Sequence, residues 1–339
     1  MTKNRKGILP VLYSCLAVLF LFACGEKASV THPNHPVFKN PQVIALNEDI
    51  EDDPANAKRW FARGNMLRKL NEDSFALRDY QQAARLDSTK AEYFSAVGDL
   101  MFEHKDISGS VPWIEKAVKL NPNDPTAHLK MAKLFIYIKD YTKAFSEINT
   151  VLRQNTMNPE GYFLKGMIYK DLKDTAKSIS SFQTTIQIAP EHHDALVQLG
   201  LLYCAKGDAL GLKYLDNAYR VDSTDVFPLY ARGMYFQQRE QYEEAKREYQ
   251  RCISRDADFG DAWFGKGWVL LQQDSVEQAR DQFDIVARLQ PTRATAWYNR
   301  GLCNELLGQR QDAINDYKQA LVFQPEYAEA ANGLKRLGQ

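Results

Sequence analysis

Residues 260–293 read GDAWFGKGWVLLQQDSVEQARDQFDIVARLQPTR, and residues 294–327 read ATAWYNRGLCNELLGQRQDAINDYKQALVFQPEY. Laid one over the other, Trp263 meets Trp297, Gly267 meets Gly301, Ala279 meets Ala313, Phe283 meets Tyr317 and Pro291 meets Pro325. The frame continues towards the N-terminus. Gly recurs at 64, 98, 166, 200, 233, 267 and 301, with Ala132 in the one gap, and every step is 34 residues except one of 33. Four residues before each stands a bulky group: Trp60, Phe94, His128, Tyr162, Leu196, Leu229, Trp263 and Trp297. About twelve after it comes a small residue (Ala76, Ser110, Ala144, Ser178, Gly211, Ala245, Ala279, Ala313), and then a large one (Tyr80, Ile114, Ile148, Phe182, Leu215, Tyr249, Phe283, Tyr317). A fixed period of this length marks stacked supersecondary units, each burying its apolar face against its neighbours.

This pattern resembles the tetratricopeptide repeat (TPR) family. The resemblance covers residues 57–327 as eight repeats: 57–90, 91–124, 125–158, 159–192, 193–225, 226–259, 260–293 and 294–327. Residues 41–56 read as an N-terminal half-repeat helix and 328–339 as a C-terminal capping helix. The family implies an all-α, right-handed superhelix, an α-solenoid of eight helix-turn-helix repeats with flanking helices. The fifth repeat is one residue short in the turn between Lys206 and Gly211, so its second helix is expected to start differently.

The N-terminus stands apart. Lys3, Arg5 and Lys6 precede an apolar run from Ile8 to Ala23 that is short for a membrane span. It ends in Leu21-Phe22-Ala23-Cys24-Gly25, which resembles the bacterial lipoprotein signal, with Phe22 bulkier than that family usually shows. The resemblance implies a signal peptide over 1–23, cleavage before Cys24, and acylation of that thiol. Glycine rather than aspartate at 25 implies the outer membrane, with the chain facing the periplasm. Residues 24–40 lack periodicity and read as a flexible tether, with His32 and His35 as solvated linker residues.

Forty-three basic residues balance 43 acidic ones, with no block of like charge, which argues against a nucleic-acid partner held by bulk charge. Five scattered cysteines make neither a disulfide framework nor a zinc site. No phosphate loop, zincin motif or nucleophile elbow is present. We expect no enzyme, no cofactor, no metal and no small-molecule substrate. The residue before the repeat Gly is basic in five repeats, and where it is Arg an acid follows sixteen later: Arg63–Asp79, Arg232–Glu248 and Arg300–Asp316. We read these as ion pairs within a repeat. Lys165–Ser181 and Lys266–Gln282 are the polar counterparts. Asp-Ser and Asp-Thr pairs at 87–88, 174–175, 222–223 and 274–275 read as turn and capping residues.

TPR arrays hold protein segments in the groove lined by their first helices. The two groove positions of repeats 4 to 8 are Phe163/Met167, Val197/Leu201, Tyr230/Met234, Phe264/Trp268 and Tyr298/Leu302, all apolar, whereas in repeats 1 to 3 they are Phe61/Asn65, Ser95/Asp99 and Leu129/Lys133, mostly polar. Such a stripe either binds a partner or packs on itself. The clamp by which some TPR proteins hold a C-terminal carboxylate is missing, since Phe61 and Ala96 stand where Lys and Asn are needed. The expected function is a lipid-anchored protein-interaction scaffold in an envelope assembly or secretion complex; the alternative is an adaptor for a peptidoglycan hydrolase or periplasmic protease.

Overall fold

The computed structural model describes residues 35–339, so the signal-peptide region, Cys24 and most of the expected tether lie outside the described residues. Among the described residues there are eighteen α-helices, one 3-10 turn and no strand. The chain divides into two compact units. The first, up to Pro122, holds the 3-10 turn Pro36–Lys39 and helices α1 (Pro41–Asp52), α2 (Ala57–Lys69), α3 (Asp73–Leu86), α4 (Ala91–Glu103) and α5 (Ile107–Leu120). The second, from Asn123, holds α6 (Pro125–Tyr137), α7 (Tyr141–Gln154), α8 (Pro159–Asp171), α9 (Thr175–Ile188), α10 (His193–Ala205), α11 (Leu210–Val221), α12 (Phe227–Gln237), α13 (Tyr242–Arg255), α14 (Gly260–Gln272), α15 (Val276–Leu289), α16 (Ala294–Leu306), α17 (Arg310–Phe323) and α18 (Ala328–Arg336). The expected eight helix pairs with a flanking helix at each end are present. Even-numbered helices from α2 to α16 are the first (A) helix of a pair, and odd-numbered ones from α3 to α17 the second (B).

The small-and-large alternation does what the spacing implies. Ala76, Tyr80 and Ala83 of α3 are buried, as are Ala245, Tyr249 and Cys252 of α13 and Ala313, Tyr317 and Ala320 of α17. Tyr249 shows why glycine is required: a Cβ on Gly233 of its own A helix, or on Gly265 of the next, would overlap its ring. In the second unit, successive A helices also approach one another (α6 and α8, α10 and α12, α12 and α14), which places them on the inner side of the curve.

Every A-to-B turn uses one device, seven residues after the repeat Gly. That residue is left-handed at all eight turns (Asn71, Lys105, Lys139, Lys173, Gly207, Glu240, Asp274 and Gly308), with φ between 56° and 81°. The amide of the following residue reaches back to a carbonyl five residues earlier, as Glu72 N–H does to Leu67 and Gln241 N–H to Phe236. This double-bonded helix ending suits glycine, yet only two of the eight turns have it. At the short fifth repeat, α11 starts one residue late relative to its repeat Gly, with Ala209 in a helical conformation before it, and Asp208 rather than the N-cap residue accepts the first amide, from Leu210. At other turns aspartate caps the B helix, as Asp174 does by accepting from Lys177 N–H, while Asp87 and Asp222 accept from Thr89 and Thr224.

The arginines do more than the sequence suggests. Arg63 makes a two-pronged pair with Asp79 at 2.7 and 2.8 Å, buried on both sides, and also donates to Asn47 sixteen residues earlier on α1. Arg300 likewise holds Asp316 at 2.5 Å and Asp284 at 2.6 Å, and Arg232 holds Glu248 at 2.9 Å and Asp216 at 3.4 Å. Each arginine therefore joins the B helix of its own pair to the preceding one. The lysine expectation needs correcting. Lys266 Nζ donates to Gln250 (2.8 Å), in the preceding repeat, while Gln282 donates to Gln278; Ser181 bonds the Lys177 carbonyl, not Lys165. A tryptophan indole fastens the connection before three of the A helices, from Trp60 to Pro54, Trp263 to Ala257 and Trp297 to Pro291, at 2.8–2.9 Å.

The tether expectation also changes. Val37 and Phe38 are buried in the core of the first unit, Phe75 meets the rings of His35 and Phe38 at 4.8 and 5.1 Å, and His35 Nε2 lies 3.8 Å from Glu72. Residues 35–40 thus belong to the folded unit because their two apolar side chains have a place to go, beside the α2–α3 turn.

Two stability predictions follow from this geometry. Arg63→Ala strands a buried carboxylate and should cost about 3 kcal/mol or more, while Arg63→Met with Asp79→Leu should recover most of it; chemical denaturation of both variants tests this, and equal losses would contradict it. Glu240→Gly relieves a left-handed residue in an exposed turn and should raise stability by about 0.5–1 kcal/mol, read as a higher melting temperature.

Candidate functional site

The ten candidate groove residues lie on α8, α10, α12, α14 and α16, two to a helix, all within the second unit. Four residues apart, each pair shares one helix face. Val197 is buried and the other nine are half-buried; none is open to solvent in the way the sequence suggests. The reason is a repeated ring contact between residues nineteen apart. Phe163 meets Phe182, Tyr230 meets Tyr249, Phe264 meets Phe283 and Tyr298 meets Tyr317, with centroids 5.4–5.9 Å apart. In the first unit Phe61 meets Tyr80 in the same way, at 5.3 Å.

A second contact comes from the residue just before the next A helix. His192 meets Phe163 tilted (4.8 Å), Phe259 meets Tyr230 edge-on (5.4 Å), Tyr327 meets Tyr298 tilted (5.1 Å), and the Arg293 guanidinium lies 4.2 Å from the Phe264 ring centre. The groove rings are therefore held from two sides and rigid. Trp268 packs edge-on to Tyr242 at 6.4 Å, and Met167 and Leu201 also rest against core clusters. Met234 and Leu302 are half-buried and sit in none of these clusters, so they are the groove side chains least committed to the fold.

The polar groups around the stripe are largely paired. Glu160 lies 3.5 Å from His192 and 2.8 Å from Lys133, and these contacts hold its carboxyl at about 2, well below the usual range. Arg293 pairs with Asp261 at 2.6 Å, and Arg336 with Glu305 at 2.8 Å. In the polar repeats, Asn65 accepts from the Tyr80 hydroxyl at 2.8 Å. The arrangement offers apolar surface bordered by fixed charge, which suits recognition more than bond making. Burial pushes the thiol of Cys204 up to about 11 and those of Cys252 and Cys303 up to about 12, so none is a ready nucleophile. Among the described residues no three His, Cys, Asp or Glu side chains gather as metal ligands, and no helix is long and apolar enough to cross a membrane.

The description "Tetratricopeptide repeat" matches three stretches of the chain, residues 159–192, 230–294 and 294–327, and the first and last coincide with the pairs α8–α9 and α16–α17. This is a tetratricopeptide repeat protein. Over 120 residues, 34% of the chain, it is 26% identical to the tetratricopeptide repeat domain-containing protein PYG7, chloroplastic, of Arabidopsis thaliana; that stretch spans 40% of the plant protein. Among solved structures, yeast Tom70 aligns with a TM-score of 0.57 at 14% identity, covering 79% of this chain and 59% of that one. PilW, described as a widely conserved type IV pilus biogenesis factor, aligns at 0.53 and 19% identity, covering 62% and 98%. These likenesses establish the TPR fold.

The Glu160 contacts give a pH prediction. A carboxyl held below its unfolded value contributes stability above pH 4.5, which is lost as pH falls towards 2. Between pH 5 and 3, wild type should therefore lose more stability than Glu160→Gln, measured by denaturant titration; parallel acid limbs would contradict the pairing.

Proposed function

We propose that this TPR scaffold is anchored to a membrane through acylated Cys24 and captures a protein segment on the inner face of repeats 4 to 8, within an envelope assembly or secretion complex. The anchor reading is supported by the sequence MTKNRKG followed by the apolar run that ends in Phe22-Ala23-Cys24, and Gly25 favours the outer membrane, facing the periplasm. The observation that carries the groove reading is five successive A helices with ten apolar side chains on one face, rigidly supported beneath. Apolar surface already immobilised loses little entropy when a partner covers it. The pilus-biogenesis description of the PilW structure agrees with an assembly role for a scaffold of this fold. Tethering would raise the partner's effective concentration at the membrane. Catalysis has no part in this reading.

The test is a mild-detergent pull-down from membranes, comparing wild type, Cys24→Ala, and Met234→Ser with Leu302→Ser. The last pair spares the ring contacts that hold the repeats together. It should lose the partner about tenfold while keeping its helical content. Cys24→Ala should leave the membrane fraction. Identical partners in all three samples would sink both halves of the reading.

A further inference from the structure

The connections that lead into the A helices carry a charge pattern not used above. Residues 155–161, 189–195, 222–229 and 256–262 together hold eight carboxylates and no lysine or arginine, although the chain as a whole is balanced. Three of these acids continue directly into the groove stripe. Glu160, Phe163 and Met167 of α8, Asp194, Val197 and Leu201 of α10, and Asp261, Phe264 and Trp268 of α14 follow one another at intervals of three and four residues, hence down one helix face. The apolar floor thus has an acidic border along the side where the A helices begin.

Part of this charge has local work. First-turn acids complement the helix dipole, and Asp222, Asp225 and Asp256 accept backbone N–H groups in their turns. Accepting an N–H group keeps a carboxylate ionised; the Thr224 hydroxyl and amide hold the Asp222 carboxyl below its usual range. Two neighbouring cations, Lys133 on Glu160 and Arg293 on Asp261, offset two of the eight charges. Glu191, Asp194 and Asp258 are exposed, and apart from a 3.3 Å contact from His193 to Asp194 they carry no ion pair.

We infer that the occupant of this groove is a cationic amphipathic helix of a protein partner, its apolar face on the floor of repeats 4 to 7 and its lysines or arginines along the acidic border. The inference rests on the groove reading above and adds the chemical class of the partner. Packed A helices lie about 10 Å apart, so four of them span roughly 30 Å, the length of about 20 helical residues. An acidic segment of the same length meets the border with like charge, which is how such a surface would discriminate.

The experiment measures binding of three labelled 20-residue peptides to the purified full chain by fluorescence anisotropy: an amphipathic Leu/Lys helix, its Leu/Glu counterpart, and a Lys/Ser peptide with the same charge and no apolar face. The Leu/Lys peptide should bind at least about tenfold tighter than either other peptide, and about tenfold weaker in 0.5 M than in 0.05 M NaCl. Glu191→Lys with Asp194→Lys and Asp258→Lys, all at exposed positions, should lower its affinity about tenfold at unchanged helical content. Equal binding of the Leu/Glu peptide, equal binding of the Lys/Ser peptide, or an unaffected triple variant would overturn the cationic-helix assignment. If Leu/Lys and Leu/Glu both bind and both are lost in Met234→Ser with Leu302→Ser, the groove reading stands and only the charge preference fails. Leu/Lys binding untouched by those two serines would overturn the groove reading itself, and no binding by any peptide would overturn both.

Discussion

A ring can lie against a helix backbone only where the backbone has no side chain to keep it away. The fold depends on that one close approach, repeated. Tyr249 between Gly233 and Gly265, and Tyr317 between Gly301 and Gly333, bring neighbouring helices to backbone contact. Once the helices are that close, the other features have a place: alanines seal the seam, and the A helices come together on one side. The large residue of each B helix is thus shared property, packed by its own pair and by the next.

The same closeness explains the polar interior. Arg63, Arg232 and Arg300 sit where two helices come within reach of one guanidinium, whose flat fork can satisfy an acid on its own B helix and an acid or amide on the helix before it. Lysine at the equivalent site has a single ammonium, and Lys266 uses it on Gln250 alone. The arginines fix the position of one repeat relative to the last, a constraint that apolar packing leaves looser. The groove inherits this rigidity, because Phe163, Tyr230, Phe264 and Tyr298 are each held by the B helix behind and by the residue before the next helix.

Much of this was legible in the sequence for a simple reason: each rule was written several times over. The repeat Gly, the bulky residue four before it and the closing prolines reinforce one another, so pairs and flanking helices could be placed without coordinates. What stayed hidden depends on contacts with no repeat of their own. The backward partners Asn47, Asp216 and Asp284 are ordinary helix-B polar residues until packing brings them to an arginine. The left-handed turns escape notice because lysine, glutamate, aspartate and asparagine occupy six sites where glycine would announce them. Residues 35–40, with a histidine, a proline and no periodicity, look like linker, and only the space beside Phe75 makes Val37 and Phe38 core. The groove positions could be read, but not their half-burial, since that follows from where a ring turns.

Within each unit, the main helix contacts are between neighbours and next-but-one neighbours along the chain. Such a body has no central core to lose at once. Pulled from one end, it would yield like a zipper, a pair of teeth at a time, each interface giving way at its own load. The arginine-joined interfaces would hold longest. A scaffold built this way can stretch under tension between two bodies and recover its shape when released, with the damage confined to the repeat that opened.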